Sequence, residues 1–389
     1  MQIDFHYYAT YCAAIVAGYD HEESLAVCTA AQYVDCCTKT ALRKMKAPLS
    51  AATTQSQLEM AELRPGILTL QDITRIWASF HFLPGDLQAK KPHCARRYLN
   101  KYRMICQPNS ELMLETLRQA QRIGTPQAAG IAMHILADSW AHRYFAGTPS
   151  FVINNVTSEI YELLPEENGV VSRKINFRHR VSGADDPEAG VYTSTILQFS
   201  EQSVMNLGHG RVGHLPDYSF IRYRYLPAWG EYEEVVKDNP REYLCAFAQM
   251  VYALRWLRGR EDELRMDTYA WESIEPLRPA IERILSRRQL LAAEDWKALA
   301  KTLSGQDVPD FSAEAYEKAY LAAPEEEKDR TAPGRFIYAA LAQKSMVTKR
   351  IFDTGSLLAG LSVDYFRFGF KGQKDFLKLI ERLKGGRRQ

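Results

Sequence analysis

Apolar residues recur at intervals of three and four along most of the chain, a period that predicts amphipathic or buried α-helices. The first such stretch runs from Tyr7 to about Lys46. Gly18 interrupts it, and the acidic residues that follow the interruption are typical of a helix start, so the stretch predicts two helices.

Glycine and proline mark the ends of the next predicted helices. A helix over 69–80 stops before Pro84, and a helix over 110–122 is separated by Gly124 from a third that ends before Gly147. The residue His81 therefore falls at a helix end or in the loop that follows it.

The second half of the chain changes pattern twice. Apolar and polar residues alternate over 170–177 and 191–196, which predicts either a small hairpin or alternating surface on helices. After about residue 260 the chain carries charged amphipathic stretches such as 280–290 and 375–383. We therefore predict a mainly α, multi-helical fold: a helical domain over 1–260 with an irregular or β insertion at about 148–200, and a helical extension over 261–389.

Composition and terminal sequence argue against a strongly charged, secreted, membrane-spanning or disulfide-rich protein. Hydrophobic residues make up 46% of the chain and charged residues 25%, with a formal net charge of +2, as in ordinary soluble domains without a strong global field. The amino-terminal segment lacks the basic residues of a signal peptide, and no apolar run reaches transmembrane length, so a cytoplasmic location is expected. Seven cysteines without the spacing of a disulfide framework predict reduced thiols.

The most specific chemistry lies in the apolar helix that begins near Gly130. His134, Asp138 and His142 follow one another at steps of four residues, so their side chains share one helix face. Imidazole and carboxylate are preferred zinc ligands, and this spacing is typical of a metal site. The alternative is a structural one, in which two buried histidines share hydrogen bonds with one aspartate in the core.

Other potential ligands lie at segment boundaries and in one glycine-broken loop. Near the start of the chain they are Asp4 and His6, and Asp35 and His81 follow on or after the next helices. The loop over 208–217 concentrates three further candidates, which are His209, His214 and Asp217. Loops of this kind position ligands more often than they fill cores.

This ordered set resembles that of the trinuclear zinc phosphodiesterases, the superfamily of zinc-dependent phospholipase C and the single-strand-specific nucleases. The match covers about residues 1–220 and rests on ligand order rather than on continuous similarity. The segment Asp4-Phe5-His6-Tyr7-Tyr8 also resembles the start of a group of proteins of unassigned function, which implies a divergent branch. The fold that the resemblance implies is a helical bundle with two to three zinc ions in a cleft.

The resemblance distributes the candidate ligands over three zinc ions. The implied sets are Asp35, His81, His134 and Asp138 for the first ion, Asp4, His6 and the shared Asp138 for the second, and His142, His214 and Asp217 for the third. His209 competes with His214 for the last set.

Three positions depart from the pattern of that superfamily. Its secreted members bind zinc through an amino-terminal Trp, whereas this sequence has Met1, so Asp4 is the candidate replacement. His142 follows Asp138 after a shorter step, and the final pair, His214 and Asp217, lies farther downstream with one residue fewer between its members.

The function implied is a metal-dependent phosphodiesterase or phospholipase C-type hydrolase, in which a metal-bound hydroxide attacks phosphorus. Asp35 and the bridging Asp138 would take the catalytic positions, with Asp35 or Asp4 as base. Arg143 and Arg211 would hold a phosphate oxygen of the substrate, which is a nucleic acid, a nucleotide or a phospholipid headgroup.

Two alternatives remain from the sequence. One is a helical protein that binds zinc structurally or binds a protein partner through its carboxy-terminal helices. The other is an HD-type phosphohydrolase, although the chain lacks the His-Asp dipeptide of that class.

Overall fold

Helices predominate in the computed structural model, which describes residues 1–61, 67–167, 169–178, 183–196 and 198–360. A π-helical turn, Asp4–Ala9, leads into the first α-helix. The α-helices are α1 (Thr10–Ala17), α2 (His21–Tyr33), α3 (Lys39–Met45), α4 (Gln57–Ala61), α5 (Ile67–Phe80), α6 (Arg96–Tyr102), α7 (Glu111–Ile123), α8 (Pro126–Ala141), α9 (Phe151–Asn154), α10 (Asn239–Leu257), α11 (Trp271–Ile274), α12 (Arg278–Ser286), α13 (Ala293–Ser304), α14 (Ala313–Ala322) and α15 (Ala332–Asp353).

Capping residues explain where the helices around the site begin. Asp20 accepts a hydrogen bond from the backbone N–H of Glu23, whose side chain accepts one from the backbone N–H of Asp20, a capping box that starts α2. Ser110 and Thr125 cap α7 and α8 through their side-chain oxygens. These starts confirm the predicted break after Gly18 and the separation of the third helix from the second.

The strands form two small sheets beside the helices. Their bounds are β1 (Tyr161–Glu166), β2 (Gly169–Lys174), β3 (Asn176–Arg178), β4 (Val191–Thr193), β5 (Arg222–Tyr225) and β6 (Val235–Asp238). One antiparallel sheet has the order β2-β1-β5-β6, and β3 pairs with β4 in parallel. The first alternating run covers most of β2 and the start of β3, and the second begins with β4. The two runs pair through β3 and β4, but in parallel rather than as a hairpin, and β2 pairs with β1, which alternation alone did not reveal.

The carboxy-terminal helices share the main core with the amino-terminal ones. Trp296 of α13 packs its ring against Phe5 and Phe247, at centroid distances of 6.0 and 5.6 Å. Gln343 of α15 donates to the hydroxyl of Thr116 on α7 at 3.0 Å. Residues 271–353 thus cover the helices of the site rather than standing apart from them, while the predicted helix over 375–383 lies outside the described residues.

None of the described helices combines the length and the hydropathy that a membrane crossing requires.

All seven cysteines are unpaired thiols, and four of them are buried, which agrees with the prediction from their spacing.

Helices α2 and α8 approach closely at Gly130. A Cβ atom at this position would lie 2.3 Å from the carbonyl oxygen of Val27 and 2.7 Å from Cβ of Ala30. Real Cβ atoms do not come so near, so any side chain at residue 130 must push the two helices apart. The glycine therefore sets the distance between α2 and the helix that carries His134 and Asp138.

We expect Gly130→Ala to lower the free energy of unfolding by about 1–3 kcal/mol, because overpacking outweighs the gain in helix propensity of about 1 kcal/mol. Urea denaturation measures the change. Gly230→Ala is the matched control, since its Cβ would meet no atom nearer than 3.5 Å. Equal or higher stability of the Gly130 variant would contradict the close approach.

Candidate metal centre

One stripe of α8 carries the centre. Gly130, His134 and Asp138 follow at steps of four residues, and His142 continues the stripe as the residue that caps the helix. The side chains of His134 and Asp138 are 0% and 1% exposed, because α2, α7, α10 and α15 surround α8. The predicted shared face is confirmed, and it points into the interior.

The carboxylate of Asp138 lies close to three histidine rings. Its Oδ1 lies 3.2 Å from Nε2 of His6, and its Oδ2 lies 3.2 Å from Nε2 of His134 and 3.1 Å from Nδ1 of His81. Oδ1 of Asp35 approaches the same two rings at 3.8–3.9 Å. Two groups of possible ligands result, His6–His134–Asp138 and Asp35–His81–His134, in each of which the ligand atoms lie within 4.8 Å of one another.

Backbone carbonyls fix the orientation of these rings. Nδ1 of His134 donates to the carbonyl of Ala31 at 2.9 Å, and Nε2 of His81 donates to the carbonyl of Thr53 at 3.1 Å. A carbonyl can only accept, so each of these ring nitrogens carries the proton in the neutral form. The other nitrogen of each ring then turns a lone pair toward Asp138, which is the arrangement that metal-ligating histidines adopt.

The resulting cluster has more acceptors than donors. Nε2 of His134 and Nδ1 of His81 lie 3.2 Å apart, and both face the carboxylate oxygen of Asp138. Burial lowers the pKa of His134 to about 4, so its ring is neutral near pH 7. With both rings neutral, the lone pairs of these three atoms converge and repel one another unless a cation lies among them. The donor set therefore fits a metal ion such as zinc.

His6, which faces the other carboxylate oxygen of Asp138, also fits a bound metal ion. Its ring stacks on that of His134 at 3.8 Å, and neither of its ring nitrogens makes a hydrogen bond. Burial lowers the pKa of this imidazole to about 4. A buried polar group without a partner is costly, and a bound cation would satisfy it.

The third group joins the end of α8 to the glycine-broken loop. It consists of His142, His209 and Asp217, with Nε2 of His142 at 3.1 Å from Oδ1 of Asp217 and Nε2 of His209 at 3.6 Å from Oδ2. Nδ1 of His209 donates to the carbonyl of Gly213 at 2.7 Å. Gly213 has φ +58, and a Cβ there would lie 1.8 Å from the carbonyl oxygen of Thr193, so the loop requires glycine at this position to present His209.

A positive charge lies between the first group, through Asp138, and the third group, through Asp217. The amino group of Met1 is 2.7 Å from Oδ1 of Asp138 and 3.2 Å from Oδ1 of Asp217. Burial by itself would lower its pKa, but the two carboxylates raise it to about 11. The pKa of Asp217 lies well below its usual range: burial opposes this shift, and the ammonium and His209 overcome that opposition. This part of the interior is thus built to hold positive charge.

The structure does not bring every predicted residue to the centre. Asp4 accepts hydrogen bonds from the backbone N–H groups of Ala292 and Phe5, at 2.8 and 2.9 Å, and belongs to none of the three groups. Its carboxylate anchors the start of α13, and the group that lies beside Asp138 instead is the amino group of Met1, 2.7 Å from Oδ1.

The two predicted arginines each contact residues outside the three groups. Arg211 is 7% exposed and donates to the carbonyl of Gln198 and to Oδ1 of Asn206, which ties the loop together instead of facing a substrate. Arg143 lies over the ring of Tyr144 and 3.8 Å from Glu242, with 35% of its side chain exposed.

The geometry of the loop places His209, and not His214, in the third group of possible ligands. His209 is one of the three ligands of the third group, whereas the His214 side chain is 58% exposed and its Nδ1 bonds to Oδ2 of Asp217 at 3.2 Å. His214 therefore lies at the rim. Its spacing from Asp217 suggested a ligand pair, but the loop turns its ring outward.

The sequence analysis missed Lys237, a fully buried lysine at the end of α8. Its Nζ donates to the carbonyls of Trp140 and Ala141, at 3.0 and 3.1 Å, and pairs with Glu242. It thereby satisfies carbonyls of the last helical turn directly before His142. Nothing in its local sequence, an alternating strand, distinguishes it from an exposed lysine.

Comparison with known protein families identifies the family of this chain. The model of DUF6765, a family of unknown function, matches residues 1–351, and the chain belongs to this family. No curated protein and no solved structure matches the chain.

Elemental analysis of the purified protein tests the centre. We expect about two to three zinc ions per chain in the wild type, and a clear loss in Asp138→Asn, because the neutral amide removes the charge that the groups share. Asp262→Asn, at an exposed aspartate, is the matched control and should keep the full content. Metal-free wild-type protein after incubation with zinc would contradict the assignment.

A second comparison distinguishes the loop histidines. We expect His209→Ala to lose one ion per chain relative to the wild type, since it removes one of the three ligands of its group. His214→Ala, which removes an exposed ring, should retain the wild-type metal content. Loss of an ion in His214→Ala but not in His209→Ala would show that the loop rearranges to use His214.

Proposed function

We propose that this member of a family of unknown function is a metal-dependent hydrolase of phosphate esters, of phosphodiesterase or phospholipase C type. The observation that carries the proposal is the position of Asp138, whose Oδ1 lies 3.2 Å from His6 of the first group while its Oδ2 lies 3.1 Å from His81 of the second. A carboxylate shared in this way is typical of centres with more than one ion, which act on phosphate esters in many enzymes.

The order of the ligands along the chain supports the resemblance to the trinuclear zinc phosphodiesterases. His6, Asp35 and His81 lie beside the pair of α8, and the later loop supplies Asp217 beside His142. This convergence was expected from the resemblance alone. Zinc ions held by these groups would supply Lewis acidity and would offset negative charge on the phosphate.

Three residues of the chain would accept a proton, bind the phosphate and contact the substrate. Asp35 is 32% exposed, so it is the carboxylate of the first two groups that solvent reaches and the one placed to accept a proton from water. Arg143 retains a partly exposed guanidinium whose Nε has no hydrogen-bond partner, and it stays the candidate for a phosphate oxygen. His214 at the rim would contact the substrate before it reaches the buried ligands.

A structural metal centre is the second candidate. The near-complete burial of His6, His134 and Asp138 favours it, because structural zinc sites are closed to solvent. In that case the metal would stabilise the contact between α2 and α8, and the protein would bind its ions without hydrolysing any ester.

Hydrolysis of bis-p-nitrophenyl phosphate distinguishes the two candidates. We expect zinc-loaded wild type to hydrolyse it, chelation to abolish the activity, and Asp35→Asn to lower it at least about 100-fold with Asp262→Asn unchanged. Zinc content is measured on the same samples. Full zinc content without hydrolysis above a zinc-buffer blank would contradict the enzyme and leave the structural centre.

A further inference from the structure

A cavity of about 230 Å³ opens between α5, α6 and the segment that follows α15. It lies apart from the metal centre: none of the ligands lines it, and Thr74 in its wall is seven residues before His81, about 10 Å along the helix axis. Its walls combine leucine side chains with polar ones, among them Arg97, Asn100 and Gln202. No aspartate or glutamate contributes to the lining.

Part of the positive charge around this cavity has no ion-pair partner among the described residues. Lys101, deep in the wall, pairs with Glu201, but Arg97 has no ion-pair partner among the described residues. Arg96 lies against Gly355, and Arg75 lies against Gly360 while its Nε donates to the carbonyl of Ala359 at 2.6 Å. Within the described part of the chain, neither of these two guanidiniums meets a carboxylate.

The distribution of charge along the chain also shows an excess of basic residues near the cavity. Residues 87–110, which contain α6, hold six Lys and Arg and no Asp or Glu. Residues 361–389, which directly follow the cavity wall, hold eight basic and three acidic residues. The whole chain has a net charge of only +2, so the remaining parts are acidic on balance. Residues 87–110 themselves hold no carboxylate that could supply the missing negative charge.

We propose that this cavity is a second anion site that binds a phosphate group, with Arg97 as its principal ligand and Asn100 and Gln202 as further hydrogen-bond donors. Guanidinium groups bind phosphate through paired hydrogen bonds, and uncompensated charge in a recess concentrates anions. The leucine side chains in the wall suit the carbon atoms next to the phosphate. The group is either free phosphate or part of a lipid headgroup.

Equilibrium dialysis with radiolabelled inorganic phosphate tests the site at low ionic strength. Zinc-loaded wild-type protein is the starting point, so that any phosphate at the metal centre is common to every variant. We expect the cavity to bind about one phosphate per chain in addition. Adding Arg97→Gln should weaken binding about tenfold or more, since it removes an exposed charged ligand. Arg118→Gln, an exposed arginine on α7 outside the cavity, is the matched control and should bind as before.

Cosedimentation with vesicles of phosphatidic acid, against vesicles of phosphatidylcholine, distinguishes the source of the phosphate. Binding to phosphatidic acid alone, lost in Arg97→Gln and kept in Arg118→Gln, would identify a lipid headgroup as the ligand. Binding of free phosphate with the same dependence would identify a small molecule. The proposal is overturned if neither probe binds, or if the two arginine variants behave alike.

Discussion

The buried carboxylate of Asp138 is the feature on which the centre depends. It is 1% exposed and lies within 3.2 Å of three imidazoles, two of which turn lone pairs toward it because their other nitrogens donate to backbone carbonyls. An uncompensated charge in such a place costs several kcal/mol. The amino group of Met1 supplies one positive charge, but Asp35 and Asp217 add further negative charge nearby. The donor set therefore fits further cations.

Much of the surrounding fold serves to hold these acceptors together. Gly130 allows α2 to approach α8 so closely that the carbonyl of Ala31 reaches the ring of His134. Lys237 satisfies the last carbonyls of α8, and glycine at 213 allows the loop to bring His209 beside His142. The carboxy-terminal helices close the same core. Mutual repulsion of the ligands is thus opposed by packing over a large part of the chain.

Local signals in the sequence predicted the helices and singled out the His and Asp residues of the three groups, because both depend on short-range geometry. A step of four residues places His134 and Asp138 on one face whatever lies around them. What could not be predicted is set by contacts between distant segments: the partner of β2, the burial of Lys237, and the displacement of Asp4 to the start of α13. The choice of His209 over His214 depends on a glycine conformation that spacing does not encode.

Anomalous diffraction at the zinc absorption edge, from crystals grown with zinc, tests the central claim most directly. The account predicts strong peaks between His134, His81 and Asp138 and between His142, His209 and Asp217. Absence of any peak, with the Met1 amino group and protonated imidazoles satisfying the carboxylates instead, would contradict it.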